Sequence, residues 1–253
     1  MSRPDARSPS IYRCNALPEL IEGRGVCLLR HFDDEPAHTP VRQQAHQWLC
    51  QVLAACLAIP LDQVRIARTA AGKPWLPEHA WLRFNLSHSG RSAAIALCRG
   101  QEVGVDLETI SGKVTVKKAI ARRFFHPDEQ RWLALDDANY LPRFTQLWSI
   151  KEAWLKALGT GLTQSLASFC AIPPCAASGV AQVMVNSPMS SGQIHYCQVQ
   201  AQARFCLAYG AITAPEQRSV QWLLVTDKST ANYPDTGAGG NPNSEPRCEA
   251  SRS

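Results

Sequence analysis

No apolar run in the sequence approaches the roughly 18–20 residues of a bilayer span, which excludes a membrane-crossing helix and predicts a soluble protein with no membrane partner. Met1 to Ser10 are polar and proline-containing, without the apolar stretch and small-residue cleavage site of a secretory signal, so the cytoplasm is the expected location. Although there are 10 cysteines, none form a C-x-x-C pair. Cys50, Cys56, Cys98 and Cys206 sit inside apolar segments and read as buried thiols, and Cys170 and Cys175 lack a second pair or a histidine at zinc-ligand spacing. No basic run is interleaved with stacking aromatics, and a net charge of +5 is too modest to argue for nucleic acid. It suits a phosphate-rich ligand or an acidic partner. No short-period repeat is present.

What is there is a globular composition, 45% hydrophobic and 19% charged over 253 residues, enough for one large domain or two small ones. Residues 1–15 read as a flexible N-terminus and residues 16–101 as a first half. That half comprises a strand at Gly25 to His31, a helix from Val41 to Leu57 stopped by Pro60, a short strand at Val64 to Arg68, and strands Leu82 to Leu86 and Ala93 to Cys98. Residues 102–226 read as a second half. It opens on a strand at Val103 to Glu108, continues through helices at Val114 to Phe125, from Pro127, and at Arg143 to Leu158, and ends in short strands, the last at Val220 to Val225. Residues 227–253 have the composition of a disordered tail.

Two-residue strand periodicity sends Gly104, Asp106 and Glu108 to one face, so two carboxylates stand side by side. Like charges this close repel unless a cation lies between them, and magnesium takes one or two carboxylates together with waters and phosphates. Alone, D-x-E also fits a half-buried strand with a solvated face. In the helix around Trp148-Ser149-Ile150-Lys151-Glu152, the apolar set Ile150, Ala153, Trp154, Ala157 and Leu158 covers one side and Glu152 and Lys156 share the other. That spacing equally describes a surface ion pair. Arg68 to Pro74, with Gly72 and Lys73, and Phe84 to Ser89, with Asn85, Ser87 and His88, read as loops rich in phosphate donors.

In this order, R-T-A-A-G-K-P at Arg68 to Pro74, F-N-L-S-H-S at Phe84 to Ser89, G-V-D-L-E at Gly104 to Glu108, R-F-F-x-x-x-E at Arg123 to Glu129 and W-S-I-K-E-A-W-L-K at Trp148 to Lys156 resemble the 4′-phosphopantetheinyl transferase superfamily, in its long monomeric class. The resemblance covers roughly Ile59 to Leu162. It implies an α+β monomer of two similar subdomains related by a pseudo-twofold axis, with coenzyme A in the cleft between them. Asp106, Glu108 and Glu152 match the Mg2+ ligands. Lys73, Ser87 and His88 would contact phosphates of coenzyme A, with Asn85 beside them. Arg68, Gly72, Lys73 and Pro74 would line the adenosine end, and Lys151 and Lys156 would flank the pyrophosphate. Glu129 matches a family glutamate without an assigned role. Where longer members are basic, this chain reads Arg30-His31-Phe32-Asp33-Asp34-Glu35, leaving Arg30, Arg42 and His46 as candidates for the 3′-phosphate.

The implied reaction moves the phosphopantetheine arm to a serine of an acyl or peptidyl carrier protein. Glu152 would take the serine proton, Lys156 would steady the departing 3′,5′-ADP, and Asp106 would complete the catalytic set. Lys113, Lys117, Lys118, Arg122 and Arg123 would face the acidic carrier. The same acids and lysines would serve a magnesium-dependent phosphodiesterase or pyrophosphatase, and a non-catalytic carrier-binding module is the third reading.

Overall fold

The computed structural model describes residues 12–14, 17, 19–22, 24–32, 39–160, 164–174, 178–185, 192–199, 205–211 and 220–225. The expected tail at 227–253, and Asp33, Asp34 and Glu35, lie outside the described residues. The chain is mixed α and β, with two five-stranded sheets that each carry a long helix.

The first sheet is built on β2 (Gly25–His31), β5 (Leu82–Ser89) and β6 (Ser92–Arg99), paired antiparallel. Helix α1 (Val41–Leu57) follows Pro40 and buries Trp48, Leu49, Val52 and Leu53 with Leu28, Phe84, Ile95 and Leu97 of the sheet. It stops at Ala58, which takes a left-handed φ of 54° to return its N–H to the last turn, and Pro60 bars further helix. A small hairpin of β3 (Ala67–Arg68) and β4 (Pro74–Trp75) precedes β5.

The second sheet runs β7 (Val103–Thr109), β11 (Phe205–Ala211), β10 (Gly192–Val199), β9 (Ser178–Val185) and β8 (Phe169–Cys170), all antiparallel. Helix α4 (Tyr140–Leu158) packs on β7, β11 and β10, ending at Gly159 with φ 73°. It begins three residues before its expected start, because Pro142 sits in the first turn, where a missing N–H costs nothing. Helices α2 (Val114–Phe124) and α3 (Pro127–Ala134) pack against it, and Phe125, Phe144 and Trp148 stack with centroids 5.3–6.1 Å apart.

Two expectations are corrected here. The strand at Val220–Val225, β12, pairs parallel with β2, in the first sheet rather than the second. Tyr12–Cys14, expected to be flexible, forms β1, which pairs parallel with β12. The apolar run Trp222-Leu223-Leu224-Val225 specifies a strand, but which sheet receives it is decided by pairing nearly 200 residues away in sequence. The two sheets meet along β5 and β7, each the last strand of its own sheet.

Candidate active site

Strand β7 carries Asp106 and Glu108 to the face on which α4 lies, and the approach is close because residue 104 is glycine. A Cβ there would stand 2.2 Å from the Ala153 carbonyl oxygen and 2.3 Å from the Ala157 nitrogen. With no side chain between them, α4 brings Glu152 and Lys156, one turn apart, onto the two strand acids. Lys156 Nζ donates to Asp106 Oδ1 at 2.6 Å and to Ser87 Oγ at 3.1 Å. The Ser87 hydroxyl in turn donates to Asp106 Oδ1 at 3.2 Å.

Asp106 is 3% exposed, a buried acid. Its second oxygen, Oδ2, is buried without a hydrogen-bond partner among the described residues. A buried, unpartnered carboxylate oxygen costs about 1–3 kcal/mol or more, a cost that a bound cation or water would relieve. Its neighbours feel it. Burial first, and the Asp106 charge second, hold the Glu152 carboxyl above the ordinary glutamate range, with Lys156 opposing. Glu108 is raised in the same way, eased by Lys117, Lys156 and a hydrogen bond from Trp148. Three acids and one close ammonium leave a local excess of negative charge suited to a hard cation. Among the described residues, though, only His126, Asp128 and Cys170 place three such donor atoms within 4.8 Å of one another. The Asp106 charge reaches both Glu108 and Glu152, but the three do not bring one donor atom each within 4.8 Å of one another. The donor set fits Mg2+ in its chemistry, with oxygen atoms only and one of them orphaned. In the other trio, the His126 ring caps α3 by accepting from the Asp128 N–H.

Lys151 corrects an expectation. It is fully buried, its Nζ donating to Glu129 Oε1 at 2.6 Å and to the Phe169 carbonyl at 2.8 Å, 3.9 Å from the Phe169 ring. Burial lowers its affinity for a proton and Glu129 opposes that. It faces the core of the second half and flanks no pyrophosphate. Glu129 thereby gains a role: Oε2 accepts from His126 N to close the cap of α3, and Oε1 also accepts from Ala171 N. Helical spacing alone missed this, because a lone lysine among apolar positions reads as a snorkelling surface residue.

Phe84 to Ser89 is also corrected, being a strand rather than a loop. Asn85 Oδ1 accepts from the Val105 N–H at 3.0 Å, Ser87 Oγ from Leu107 N–H at 3.3 Å and Ser89 Oγ from Thr109 N–H at 3.1 Å. Asn85 and Ser87 are buried, and the Ser87 proton is already committed to Asp106. His88, on the alternate face, is exposed.

In the 68–74 hairpin, Arg68 Nη1 donates to the Gly72 carbonyl at 2.8 Å, and Gly72 has φ 86° with open space around it, so glycine is there for the turn. Lys73 Nζ reaches across to the Ala157 carbonyl at the end of α4 and to Glu102, both at 2.5 Å. Thr69, Lys73, Trp75, Arg83, Phe84 and Glu102 line a cavity of about 250 Å³. Burial, then Arg68 and Arg42, depress the His46 ring, which places two guanidinium groups near this imidazole in one corner. Arg30, by contrast, is buried with its guanidinium 5.0 Å from the Phe32 ring centroid, which removes it from the phosphate candidates.

Fold and site together define a mixed α and β protein with an acid-rich, lysine-bearing corner on the seam between two sheets, whose oxygen donors are of the type a hard cation takes. Residues 102–209 match the family described as the 4′-phosphopantetheinyl transferase superfamily, and residues 45–99 match the one described as 4′-phosphopantetheinyl transferase, N-terminal. A relative in Synechocystis sp. carrying the 4′-phosphopantetheinyl transferase name is 33% identical over 169 residues, 62% of this chain and 68% of that one. The chain belongs to the 4′-phosphopantetheinyl transferase superfamily. The 4′-phosphopantetheinyl transferase psf-1 of Bacillus pumilus is 36% identical over 45% of this chain and 48% of its own, and Sfp of Bacillus subtilis is 32% identical over 51% and 58%. The match thus spans about half the length of such curated relatives. No helix among the described residues is long and apolar enough to cross a membrane.

Proposed function

We propose that this protein transfers the 4′-phosphopantetheine arm of coenzyme A to a serine hydroxyl of an apo acyl or peptidyl carrier protein and releases 3′,5′-ADP, with Mg2+ held by Asp106, Glu108 and Glu152. The observation that carries the reading is the buried, unpartnered Asp106 Oδ2, set beside two glutamates whose carboxyls are raised by burial first and by the Asp106 charge second. Family membership and the names of the relatives support it. When bound, the ion would neutralise the diphosphate and draw its oxygens toward the three acids.

The remaining chemistry belongs to the chain. Glu152, held above the usual carboxylate range, accepts the serine proton. The serine oxygen forms its bond to the β-phosphorus as the bond from that phosphorus to the bridging oxygen breaks, and the electron pair leaves with 3′,5′-ADP. Lys156, already aimed at the corner and 29% exposed, steadies that departing charge. The corner of Arg42, His46 and Arg68 and the neighbouring cavity take the adenosine end, and His88, exposed on β5, is the remaining phosphate donor from its motif. The two sheets, each backed by a long helix, are the related subdomains, with the ligand in the cleft between them. Lys113, Arg122 and Arg123 are exposed on and before α2, a helix without acids, and offer a carrier its complementary face. The protein works as a cytoplasmic monomer.

Intact-mass measurement of apo carrier proteins incubated with this protein, coenzyme A and Mg2+ tests the reading. A mass gain equal to the phosphopantetheine arm, lost when Mg2+ is chelated, is the expected result. Hydrolysis of coenzyme A without any carrier, and no gain on any carrier, would replace it with the hydrolase reading.

A further inference from the structure

Strand β7 pairs with β11 along one edge only, so the N–H groups of Val105, Leu107 and Thr109 on its other edge need partners from outside the sheet. Three side chains of β5, spaced two residues apart, supply them: Asn85, Ser87 and Ser89 accept these N–H groups in register, at 3.0, 3.3 and 3.1 Å. A row of side chains thus replaces the backbone ladder where two sheet edges meet, and the middle rung does more. The Ser87 oxygen accepts from Leu107 N–H and from Lys156 Nζ while its one proton goes to Asp106 Oδ1. Its hydrogen-bonding capacity is full.

The geometry points to Ser87 as a positioning residue: together with Lys156 it pins Oδ1 of Asp106 and so turns Oδ2, the oxygen without a partner, toward the metal. This rests on the metal reading above, and it moves Ser87 from donor to a coenzyme phosphate to orienter of a ligand. Asn85 and Ser89 hold the strand; Ser87 alone also holds the carboxylate. Removing a group that hydrogen-bonds a ligating carboxylate lowers metal affinity about 10- to 100-fold.

The test is Mn2+ binding to the intact protein, read from the electron paramagnetic resonance signal of the free ion, beside the coenzyme A KM at saturating metal. Ser87→Ala is expected to weaken Mn2+ at least about tenfold and to leave the coenzyme A KM within about twofold, while Ser89→Ala, which removes the matching backbone bond and a bond to the Thr109 hydroxyl without touching Asp106, leaves Mn2+ affinity within about twofold. Ser87→Cys keeps the volume and weakens the donor. It should shift Mn2+ binding in the same direction by a smaller factor, and it serves if the alanine variant does not fold. Unchanged Mn2+ affinity in both Ser87 variants with a raised coenzyme A KM would restore the phosphate-donor role and overturn the inference. An equal loss in Ser89→Ala would overturn it as well, because the effect would then belong to the seam as a whole. Absence of saturable Mn2+ binding in the unmodified protein would take down the functional reading along with it.

Discussion

Two buried carboxylate–lysine pairs hang from the same helix, and they differ in what is left over. Around Glu129 and Lys151 nothing is: both side chains are fully buried, the ammonium has the carboxylate and a carbonyl, and the carboxylate also takes two backbone N–H groups. Around Asp106 and Lys156 a good deal is. One carboxylate oxygen is orphaned, two further acids crowd it, and the lysine tip is part-exposed. A closed pair is structural because every charge is already answered. An open pair leaves an unfavourable arrangement that a ligand would relieve, and this imbalance, together with the part-exposed lysine, separates the two.

The comparison breaks most sharply at Glu129. Glu129→Ala would leave a buried ammonium unanswered, and chemical denaturation should show a loss of about 3–5 kcal/mol that Mg2+ does not restore. Asp106→Asn should do the reverse. Turnover is expected to fall on the order of 10²-fold while stability changes by less than about 1 kcal/mol, because the lost bond to Lys156 is offset by relief of repulsion with Glu108 and Glu152. If the melting curve of this variant collapses, the open pair is structural after all.

Acidity sharpens the contrast further. Glu108 and Glu152 hold protons above their ordinary value of 4.5 in the folded state, so the folded chain binds these protons more tightly than the unfolded chain. Their contribution to stability is greatest below that value and is lost as pH rises through the raised ones. The melting temperature measured without Mg2+ should therefore decline as pH climbs above 4.5, and millimolar Mg2+ should flatten the decline. A slope unaffected by Mg2+ would remove the cation from the explanation. The smallest effect belongs to a third kind of pair. Lys118 and Asp137, 2.8 Å apart and exposed, should lose no more than about 0.5 kcal/mol in Asp137→Ala, within the scatter of thermal melts.

Most elements were legible in the sequence because their signals are local: the helical stripe of Val41 to Leu57, the alternation of Val103 to Glu108, the glycine after Leu158. The acids were legible too, by residue type and by motif. Other features were not, and the main ones are set by contacts distant in sequence. Lys151 looks identical to Lys156 until its rotational position over Phe169 is known. Asn85-x-Ser87-x-Ser89 resembles turn composition, yet the period of two, with a hydrogen-bonding side chain at each step, was the signal for a strand edge seeking partners. The destination of Val220–Val225 is a matter of sheet register, on which a short apolar run is silent.

That last strand has a consequence for how the chain is made. Because β12 lies between β1 and β2, the first sheet holds an empty lane until residues 220–225 emerge from the ribosome. The N-terminal half cannot finish folding while the rest is being synthesised, and a fragment cut at the Gln101–Glu102 junction would expose the unfilled edge of β2. Severing the chain there should give two pieces that are each unstable alone and that recover structure when mixed, with the order of synthesis reversed in the order of assembly.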